Sequence, residues 1–418
     1  KGEAAKLLIA FWIFGLCNNI GYVVILMAAS DLVVEISNQT GQVFIVKDFK
    51  RDCSVIGTGA ILLADIVPSI VVKFIAPFLP LMIHVRFALV ILTKTFGFIL
   101  AAFGYGHSQG YWMMIFGVIS ISFSNGLGES SLLAYTSFFS TINVVSTWSS
   151  GTGAAGVIGA LLYSALREAN FSGRNSLIVM LVWPILMASA FWGLVKHPYI
   201  SKAKIRISQL EETTEEQIRE DIPFTEDIHT TMAKLKILQK IVQSYTAPYG
   251  LVYLFEYFIN QALFEVMSFP DDFFAQNRQY RLYQTVYQVG VFITRSSMNV
   301  IEVNNLWMLA FLQAINAAIL LMEVIFGFLY FVFVVLACIF WEGIVGGVSY
   351  VNTYRRITTE VPPLQREFSM SINSFGDAVM ITMAGSIAIP VHTILCKVEN
   401  PYEKKKRMEW LVHTNIYI

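Results

Sequence analysis

Polar side chains recur inside two apolar stretches between residues 256 and 295, on either side of a short acidic loop. On the first stretch Glu256, Asn260 and Gln261 lie at helical spacing. The second stretch ends near Arg295. Its polar residues are spaced i, i+3, i+4, i+7, i+8, which places them on one face of a helix: Tyr280, Tyr283, Gln284, Tyr287 and Gln288. Within a membrane an ionisable side chain costs roughly 2.5–3.5 kcal/mol on insertion scales, so it normally faces a cavity or a partner. The pattern therefore predicts a substrate-binding stripe inside a helical bundle.

The composition indicates that these helices cross a membrane. Of the 418 residues, 56% are hydrophobic and only 14% are charged. A soluble protein carries about 25% charged residues. Lipid leaves backbone groups no partner outside a helix or a closed barrel, so we predict an all-α, polytopic membrane protein. The net charge is zero, which gives no indication of a nucleic-acid partner.

Apolar stretches of about 20 residues, the length of a membrane-crossing helix, divide the chain. Eleven are predicted, near residues 6–30, 53–76, 85–105, 110–138, 148–167, 175–196, 245–269, 278–298, 305–327, 329–352 and 368–395. One long charged segment separates six spans from five, as in major facilitator transporters, whose two bundles rock against each other. We therefore predict a six-helix bundle at 1–196, a cytoplasmic linker at 197–244, a second bundle at 245–396 and a tail at 397–418.

Charges in the loops predict the orientation. Three groups of basic residues fall on one side, which the positive-inside rule assigns to the cytoplasm. They are Lys73, His84, Arg86 and Lys94, the central segment, and Arg355 with Arg356. The glycosylation sequons at Asn38 and Asn170 fall in predicted loops on the opposite side. Eleven spans would place the basic tail on that opposite side as well, against the rule, and the sequence leaves this open.

Other spans also carry polar groups at membrane depth. Each carboxylate is either a structural pair or a substrate contact, and as a set they indicate a polar cavity that would allow coupling to protons. These carboxylates are Asp65, Glu129, Glu342 and Asp377. Asn18 and Asn19 in the first span suit a helix–helix hydrogen bond and a ligand contact equally well. Lys94 is an alternative to Arg295 as the buried cation, although a lysine reaches the surface more easily.

The sequence WSSGTGAAG at residues 148–156 opens the fifth span. Its small residues allow close helix packing. The alternative is that Ser150 and Gly151 line a cavity wall, where free amides and hydroxyls meet an anionic group.

Cysteine and histidine spacing argues against metal or redox chemistry. The four cysteines are scattered without a CxxC pair, so neither a disulfide framework nor a metal site is predicted. The six histidines form no HExxH array, and we expect none of them to serve as a base inside the membrane. We therefore expect no cofactor, no metal, no catalytic residues and no enzymatic activity.

Seven of the predicted spans carry the sequences FWIFGLCNNIGYVVILMAASDL, ILLADIVPSIVVKFIAP, GLGE, WSSGTGAAGVIGAL, EYFINQALFE, QYRLYQTVYQVGVFITRSS and EGIVGGVSYVNTY. Together they resemble the battenin family from about Phe11 to Cys396. The resemblance implies a divergent major facilitator-type fold in the lysosomal or late endosomal membrane. It also implies export of glycerophosphodiesters, such as glycerophosphocholine, from the lumen. Glu256, Arg295 and Asp377 match positions where the family carries the same residue and where substitutions are linked to disease.

The candidate residues suit such a substrate. Arg295 can bind phosphate oxygens with paired donors, and the amides and tyrosines can hydrogen-bond the glycerol. Tyrosine rings, with Glu256 or Glu129, can hold a choline by cation–π and Coulomb attraction. The expected partners are thus a small-molecule substrate and membrane lipid, and protein partners are unknown. A non-transporting sensor or trafficking scaffold, and a membrane-embedded lipid-modifying enzyme, remain as alternatives.

Overall fold

A computed structural model describes residues 2–40, 51, 58–76, 83–105, 110–136, 139, 142–195, 239–269, 276–297, 300–329 and 331–405. Every regular element within these ranges is helical, which confirms the all-α prediction. Most of the predicted linker and most of the tail lie outside the described residues, so their predicted roles stay predictions.

The first half of the chain contains seven helices. They are α1 (Gly2–Thr40), α2 (Thr58–Ile75), α3 (Ile83–Gly104), α4 (Gly110–Thr136), α5 (Ile142–Glu168), α6 (Gly173–Val179) and α7 (Val182–Leu194). A break at Met180 and Leu181 separates α6 from α7, and the two helices together form the predicted sixth span. Helix α1 runs ten residues beyond its predicted end. Asn38 therefore lies on the last turn of a helix and not in a loop, which corrects the sequence prediction.

The second half supplies the remaining five spans. The seventh span is a π-helical turn (Val242–Thr246), helix α8 (Ala247–Phe258) and a second π-helical turn (Ile259–Leu263). It is followed by α9 (Gln276–Arg295), α10 (Leu306–Phe326), α11 (Val332–Glu360) and α12 (Pro363–Cys396). Helix α11 continues eight residues past its predicted end. Arg355 and Arg356 consequently lie on its last turns, where Arg356 pairs with Glu360 at 2.6 Å.

Large apolar side chains cover the outside of the bundle. Phe311 is 66% exposed and Phe333 is 78% exposed, as expected for side chains that face lipid. Among the described residues, six helical segments are long and apolar enough to cross a membrane: Gly2–Ala28, Ile83–Gly104, Gly173–Leu194, Leu306–Phe326, Val332–Glu360 and Ile372–Lys405. The other five spans contribute most of the cavity lining described below. The protein is a multi-pass membrane protein.

Helix packing forms two groups that meet along two seams. In the first half α1 packs on α5 and α3 on α4, while in the second half α9 packs on α11 and α8 on α12. The seams between the halves are α5 against α9 and α2 against α12. One buried apolar cluster belongs to the first half, a second belongs to the second half, and a third is shared.

Pro68 lies inside helix α2, and because proline lacks an N–H group it weakens the helical ladder there. The hydroxyl of Ser122 on α4 is inserted into the ladder next to Pro68. It accepts from the Ser69 amide at 3.1 Å and donates to the Asp65 carbonyl. The insertion thus involves the backbone of a residue with a buried carboxylate, Asp65.

Arg51, in the connection between α1 and α2, binds three segments of the second half. Its guanidinium donates to the carbonyls of Val266 at 2.9 Å, Val324 at 2.7 Å and Val398 at 2.8 Å. Helix C-termini carry unpaired carbonyls and partial negative charge, which suits a guanidinium. The chain after α12 thus lies on the same side of the protein as the first connection, as an odd number of spans requires.

Cys396 at the end of α12 is disulfide-bonded, whereas Cys17 and Cys338 are free thiols. The sequence prediction of no disulfide was therefore wrong, because spacing along the chain does not reveal which helix ends meet.

Replacing Arg51 tests how much its contacts stabilise the fold. Arg51→Ala leaves three buried carbonyls without a charged donor, and we expect a loss on the order of 2 kcal/mol, measured as a lower Tm of the purified protein in detergent. Arg278→Ala is the control, because Arg278 pairs with Glu168 on the surface and such a pair is worth about 1 kcal/mol or less. Equal Tm values for both variants would show that the Arg51 contacts are unimportant.

Candidate functional site

A polar cavity lies where the two halves meet. The volume of the cavity is about 80 Å³, which is room for roughly six water molecules at ~10–15 Å³ each. It is lined by Asn19, Tyr22, Val23, Ile66, Ser69, Lys73, Asn125, Glu129, Thr152, Tyr253, Tyr257, Tyr287, Gln288, Val291, Arg295, Tyr350, Asp377 and Ile381. Both halves therefore contribute charged groups to one enclosed space.

Three charged residues form a buried triad across the α2–α12 seam. The Lys73 ammonium lies 2.9 Å from Glu129 Oε2 and 3.5 Å from Asp377 Oδ1, and it also donates to the Ser374 carbonyl at 3.1 Å. The Ser374 hydroxyl donates to Glu129 at 3.1 Å. Lys73 and Glu129 belong to the first half, and Asp377 and Ser374 to the second. The triad carries one positive and two negative charges, so it joins the halves and leaves one negative charge over.

Arg295 spans the other seam, between α5 and α9. Its Nη1 donates to the Thr152 hydroxyl at 3.0 Å and its Nη2 to the Tyr253 hydroxyl at 2.7 Å. The guanidinium carbon lies 4.1 Å from the centre of the Tyr350 ring, a cation–π contact. All of these partners are uncharged. The Nε donor is buried without a hydrogen-bond partner among the described residues.

Glu256 lies behind the cavity wall on α8. It accepts a short hydrogen bond from the hydroxyl of Tyr287, which does line the cavity. Its carboxylate fits because Gly346 on α11 has no side chain, and a Cβ there would collide with Oε2. Glu256 is thus hydrogen-bonded to Tyr287 and Arg295 to Tyr253, and among the described residues the two charged groups form no direct ion pair.

Tyrosines from α8 form one wall of the cavity. Tyr249, Tyr253 and Tyr257 recur every four residues, so they share one face of the helix. The Tyr249 hydroxyl donates to Asp377 at 3.2 Å. Tyr257 stacks on Tyr253 with ring centres 6.0 Å apart and lies 6.4 Å from Tyr22 of α1. Rings from both halves therefore surround the space between the triad and Arg295.

The residues on the predicted polar face of α9 have three different surroundings. Tyr287 and Gln288 line the cavity. Tyr280 donates to the Leu26 carbonyl of α1 at 3.3 Å, and Gln284 donates to Tyr280 at 3.4 Å, so both lie at the contact between the halves. In contrast, Tyr283 bonds to Gln279 and packs on Phe264 inside the second half.

The predicted amide residues also occupy different positions. Asn19 lines the cavity, whereas Asn18 is buried behind it and donates to the Asn125 carbonyl of α4 at 3.2 Å. Asn260 and Gln261 are buried within the π-helical turn that follows α8 and are not part of the cavity lining. Of the four amides, therefore, only Asn19 lines the cavity, and the other three are buried outside it.

The small residues of α5 bring three helices together. Gly151 packs against the Trp12 backbone of α1, and a Cβ on Gly153 would lie 3.1 Å from the Arg295 Cβ. The Ser150 hydroxyl bonds to that of Ser296 at 3.0 Å across the seam. The close packing positions Arg295, and neither Ser150 nor Gly151 is part of the cavity lining.

Sequence reasoning missed five important cavity residues: Lys73, Thr152, Tyr253, Tyr257 and Tyr350. Lys73 and Lys94 were both counted among the basic residues around a cytoplasmic loop, and both are buried inside the bundle; for Lys94 this agrees with the alternative prediction of a buried cation. The tyrosines on α8 recur every four residues, and this pattern could have identified Tyr253 and Tyr257 from the sequence. Thr152 and Tyr350 carry no comparable pattern.

The first prediction for this site concerns the position of α9. A Cβ on Gly290 would lie 2.5 Å from the Phe340 carbonyl of α11, so Gly290→Ala must push the two helices apart. We expect a lower Tm in detergent. Gly193→Ala is the matched control, because nothing lies within 4 Å of its added Cβ and alanine favours a helix by up to about 1 kcal/mol. An equal response of the two variants would contradict this account.

The second prediction concerns the triad. Lys73→Met leaves two acids buried without their cation, and breaking a buried pair in this way costs about 3–5 kcal/mol. We expect a large drop in Tm. The triple variant with Glu129→Gln and Asp377→Asn removes the unpaired charges and should recover most of the loss. If the triple variant is no more stable than Lys73→Met, the triad does not hold the halves together by charge pairing.

Comparison with known proteins was made at the level of sequence and of fold. The family described as CLN3 protein matches residues 9–398. Battenin of Canis lupus familiaris is 36% identical over 411 residues, which cover 95% of this chain and 92% of the relative. Protein BTN1 of Saccharomyces cerevisiae is 30% identical over 413 residues, which cover 93% and 94%.

Two solved structures share the fold. A D-xylose-proton symporter superposes with a TM-score of 0.61 at 9% identity, covering 93% of this chain and 90% of that structure. A bacterial homologue of the human lysosomal transporter Spinster, in an inward-facing and occupied conformation, gives a TM-score of 0.52 at 12% identity, covering 93% and 83%. These likenesses show the major facilitator-type fold alone. The sequence matches go further, and they confirm the resemblance noted in the sequence: the chain belongs to the CLN3 protein family, which includes battenin.

Proposed function

We propose that this protein exports glycerophosphodiesters, such as glycerophosphocholine, from the lysosomal lumen to the cytosol by alternating access. The observation that carries the proposal is the environment of Arg295. This buried guanidinium bonds only to hydroxyls and an aromatic ring, and its Nε donor has no partner among the described residues. A buried cation in such surroundings is incompletely compensated, so an entering anionic oxygen would be stabilised there.

The opposite end of the cavity suits a cation. The triad of Lys73, Glu129 and Asp377 contains one more acidic than basic side chain, and the rings of Tyr22 and Tyr257 belong to the same cavity lining. A quaternary ammonium is held by aromatic faces and by Coulomb attraction. A glycerophosphocholine would then lie with its phosphate at Arg295 and its choline toward the triad.

The middle of the cavity offers hydrogen-bonding groups without charge. Asn19, Asn125 and Gln288 belong to the same lining as Arg295 and the triad. Amides can both donate to and accept from glycerol hydroxyls. This arrangement favours a polar zwitterion over an apolar substrate.

The size of the cavity supports movement of the halves. Sites for small molecules usually enclose about 300–1,000 Å³, much more than is open here. Both seams are held by polar contacts, Lys73 with Asp377 on one side and Arg295 with Thr152 on the other. A substrate that replaces these contacts would bind one arrangement of the halves better than another, and it would shift the equilibrium by that difference in affinity.

The lysosomal location rests on the family, because nothing in the cavity chemistry depends on the compartment. A similar fold occurs in a bacterial homologue of a lysosomal transporter. The disulfide at Cys396 supports a non-cytosolic face at that end of α12. Two other functions compete with transport: a sensor or trafficking scaffold, and a lipid-modifying enzyme.

Counterflow in proteoliposomes tests the proposal. Purified protein should exchange external labelled glycerophosphocholine for unlabelled substrate inside, without altering it. A scaffold would give no exchange above empty liposomes, and an enzyme would change the chemical identity of the label. Either result would contradict transport of this substrate.

Arg295→Lys tests the phosphate site. The variant keeps the positive charge and loses the paired donors, so we expect at least about tenfold slower counterflow with a small change in Tm. Arg278→Lys on the same helix is the control, because Arg278 lies half exposed at the surface, and it should exchange like wild type. Glu256→Gln should weaken exchange, because it replaces the charge-assisted hydrogen bond from the Tyr287 hydroxyl with a weaker bond to a neutral amide oxygen. Wild-type exchange in both Arg295→Lys and Glu256→Gln would place the substrate site elsewhere.

A further inference from the structure

The guanidinium of Arg295 has partners in both halves of the protein. Tyr253 on α8 accepts from its Nη2 at 2.7 Å, and the ring centre of Tyr350 on α11 lies 4.1 Å from its central carbon. Both tyrosines belong to the same half as Arg295. Thr152 on α5 belongs to the other half, and its hydroxyl accepts from Nη1 at 3.0 Å. Of the guanidinium hydrogen bonds within the described residues, only the one to Thr152 therefore crosses the seam.

The Thr152 hydroxyl acts toward Arg295 as an acceptor alone. It donates to the Ser149 carbonyl of its own helix at 2.8 Å, and a hydroxyl has a single hydrogen to give. Its lone pairs therefore face the guanidinium as an oxygen of an anionic ligand would, but without the charge. While the bond to Ser149 persists, Thr152 has no hydrogen to donate to a phosphate.

A ligand has direct access to this contact. Thr152 and Arg295 both line the cavity, so a molecule in the cavity meets both side chains. A phosphate brings a full negative charge and two oxygens for paired guanidinium donors, whereas the hydroxyl offers one neutral oxygen. A phosphate is therefore the stronger partner for Nη1. The displaced hydroxyl keeps its own bond to Ser149, so the exchange leaves no donor of Thr152 unpaired.

Two further hydroxyl contacts hold the seam at the same level. The Ser149 hydroxyl donates to the Arg295 carbonyl at 3.1 Å, and the Ser150 hydroxyl bonds to that of Ser296 at 3.0 Å. These contacts use the backbone of Arg295 and the side chain of Ser296, and not the guanidinium. Loss of the Thr152 bond therefore changes the partner of the guanidinium while α5 and α9 stay together.

The other seam presents a cation with charged partners. Lys73 there lies 2.9 Å from Glu129 and 3.5 Å from Asp377. An entering anion must compete with two carboxylates for this cation. At Arg295 the competitor across the seam is one neutral oxygen, so the presence or absence of that oxygen changes how strongly an anion binds.

We propose that Thr152 sets the affinity of this protein for its anionic substrate, because its hydroxyl occupies the Nη1 donor of Arg295 in the empty protein and gives that donor up to the phosphate. This inference rests on the proposed transport function. Thr152 is a positioning residue that acts through Arg295. Its return to Nη1 offsets part of the free energy of phosphate binding, so it weakens binding and favours release of the substrate.

Thr152→Val tests the proposal, because valine has nearly the same shape as threonine and lacks the hydroxyl. Nη1 then has no competing partner in the empty protein. We expect the dissociation constant of glycerophosphocholine, measured by isothermal titration calorimetry on purified protein in detergent, to fall about fivefold, the size expected for one hydrogen bond. A substitution that only damages the structure would weaken binding or leave it unchanged, so tighter binding identifies the competition.

Two variants on the same helix serve as references. Thr152→Ser keeps the hydroxyl and should return the dissociation constant to the wild-type value. Thr147→Val is the matched control, because the Thr147 hydroxyl bonds to the Asn143 carbonyl of its own helix at 2.6 Å and lies outside the cavity lining, and this variant should bind like wild type. If Thr152→Val is poorly folded by Tm and gel filtration, Thr152→Ala removes the same hydroxyl and should bind more tightly in the same way.

The outcomes separate this inference from the proposed function. An equal or higher dissociation constant in the folded variant without the hydroxyl overturns the inference, since the phosphate would then reach Arg295 without displacing Thr152. Wild-type counterflow of glycerophosphocholine in that case leaves transport standing. Absence of wild-type counterflow refutes the proposed function itself, and absence of wild-type binding refutes both.

Discussion

The charge triad of Lys73, Glu129 and Asp377 is the interaction on which the arrangement of the two halves depends. Helices that carry such groups cannot be stable alone in lipid, because each ionised side chain is expensive there. Lys73 arrives from α2, Glu129 from α4 and Asp377 from α12, so the cost is offset only where all three helices meet. Pairing across the seam therefore determines which faces turn inward. The remaining faces can be wholly apolar toward lipid.

Close packing by small residues is the second requirement, because polar groups reach one another only when backbones approach closely. Gly153 allows α9 to lie against α5 at Arg295, and Gly346 leaves room for the Glu256 carboxylate. Membrane helices associate through such packing and hydrogen bonding, since lipid supplies no hydrophobic driving force between them. The glycines thus position the charged residues without touching a ligand themselves.

Local properties of the sequence predicted the spans well, because length and apolarity are read directly from consecutive residues. The ends of α1 and α11 were missed, since a helix can continue into polar sequence after it leaves the lipid. Lys73 and Lys94 were counted with the basic residues around a loop, because counting charges near a span end cannot tell a buried lysine from an interfacial one. Tyr350 was missed for another reason: an isolated tyrosine in an apolar span looks the same whether it faces a cavity or a neighbouring helix.

Incomplete hydrogen bonding separates the structural charges from those with a further role. Glu323 is fully engaged by Tyr402 and the Leu329 amide, so it behaves as a helix-end cap. Arg295 retains an unused donor toward the cavity, and Asp65 has no donor at all among the described residues. A native structure tolerates few such groups, and each calls for an explanation such as a ligand or a proton. The unused donor of Arg295 lies at a seam between the halves, and Asp65 lies one turn from Pro68, where the helical ladder of α2 is incomplete, so both groups lie outside regular, fully bonded structure.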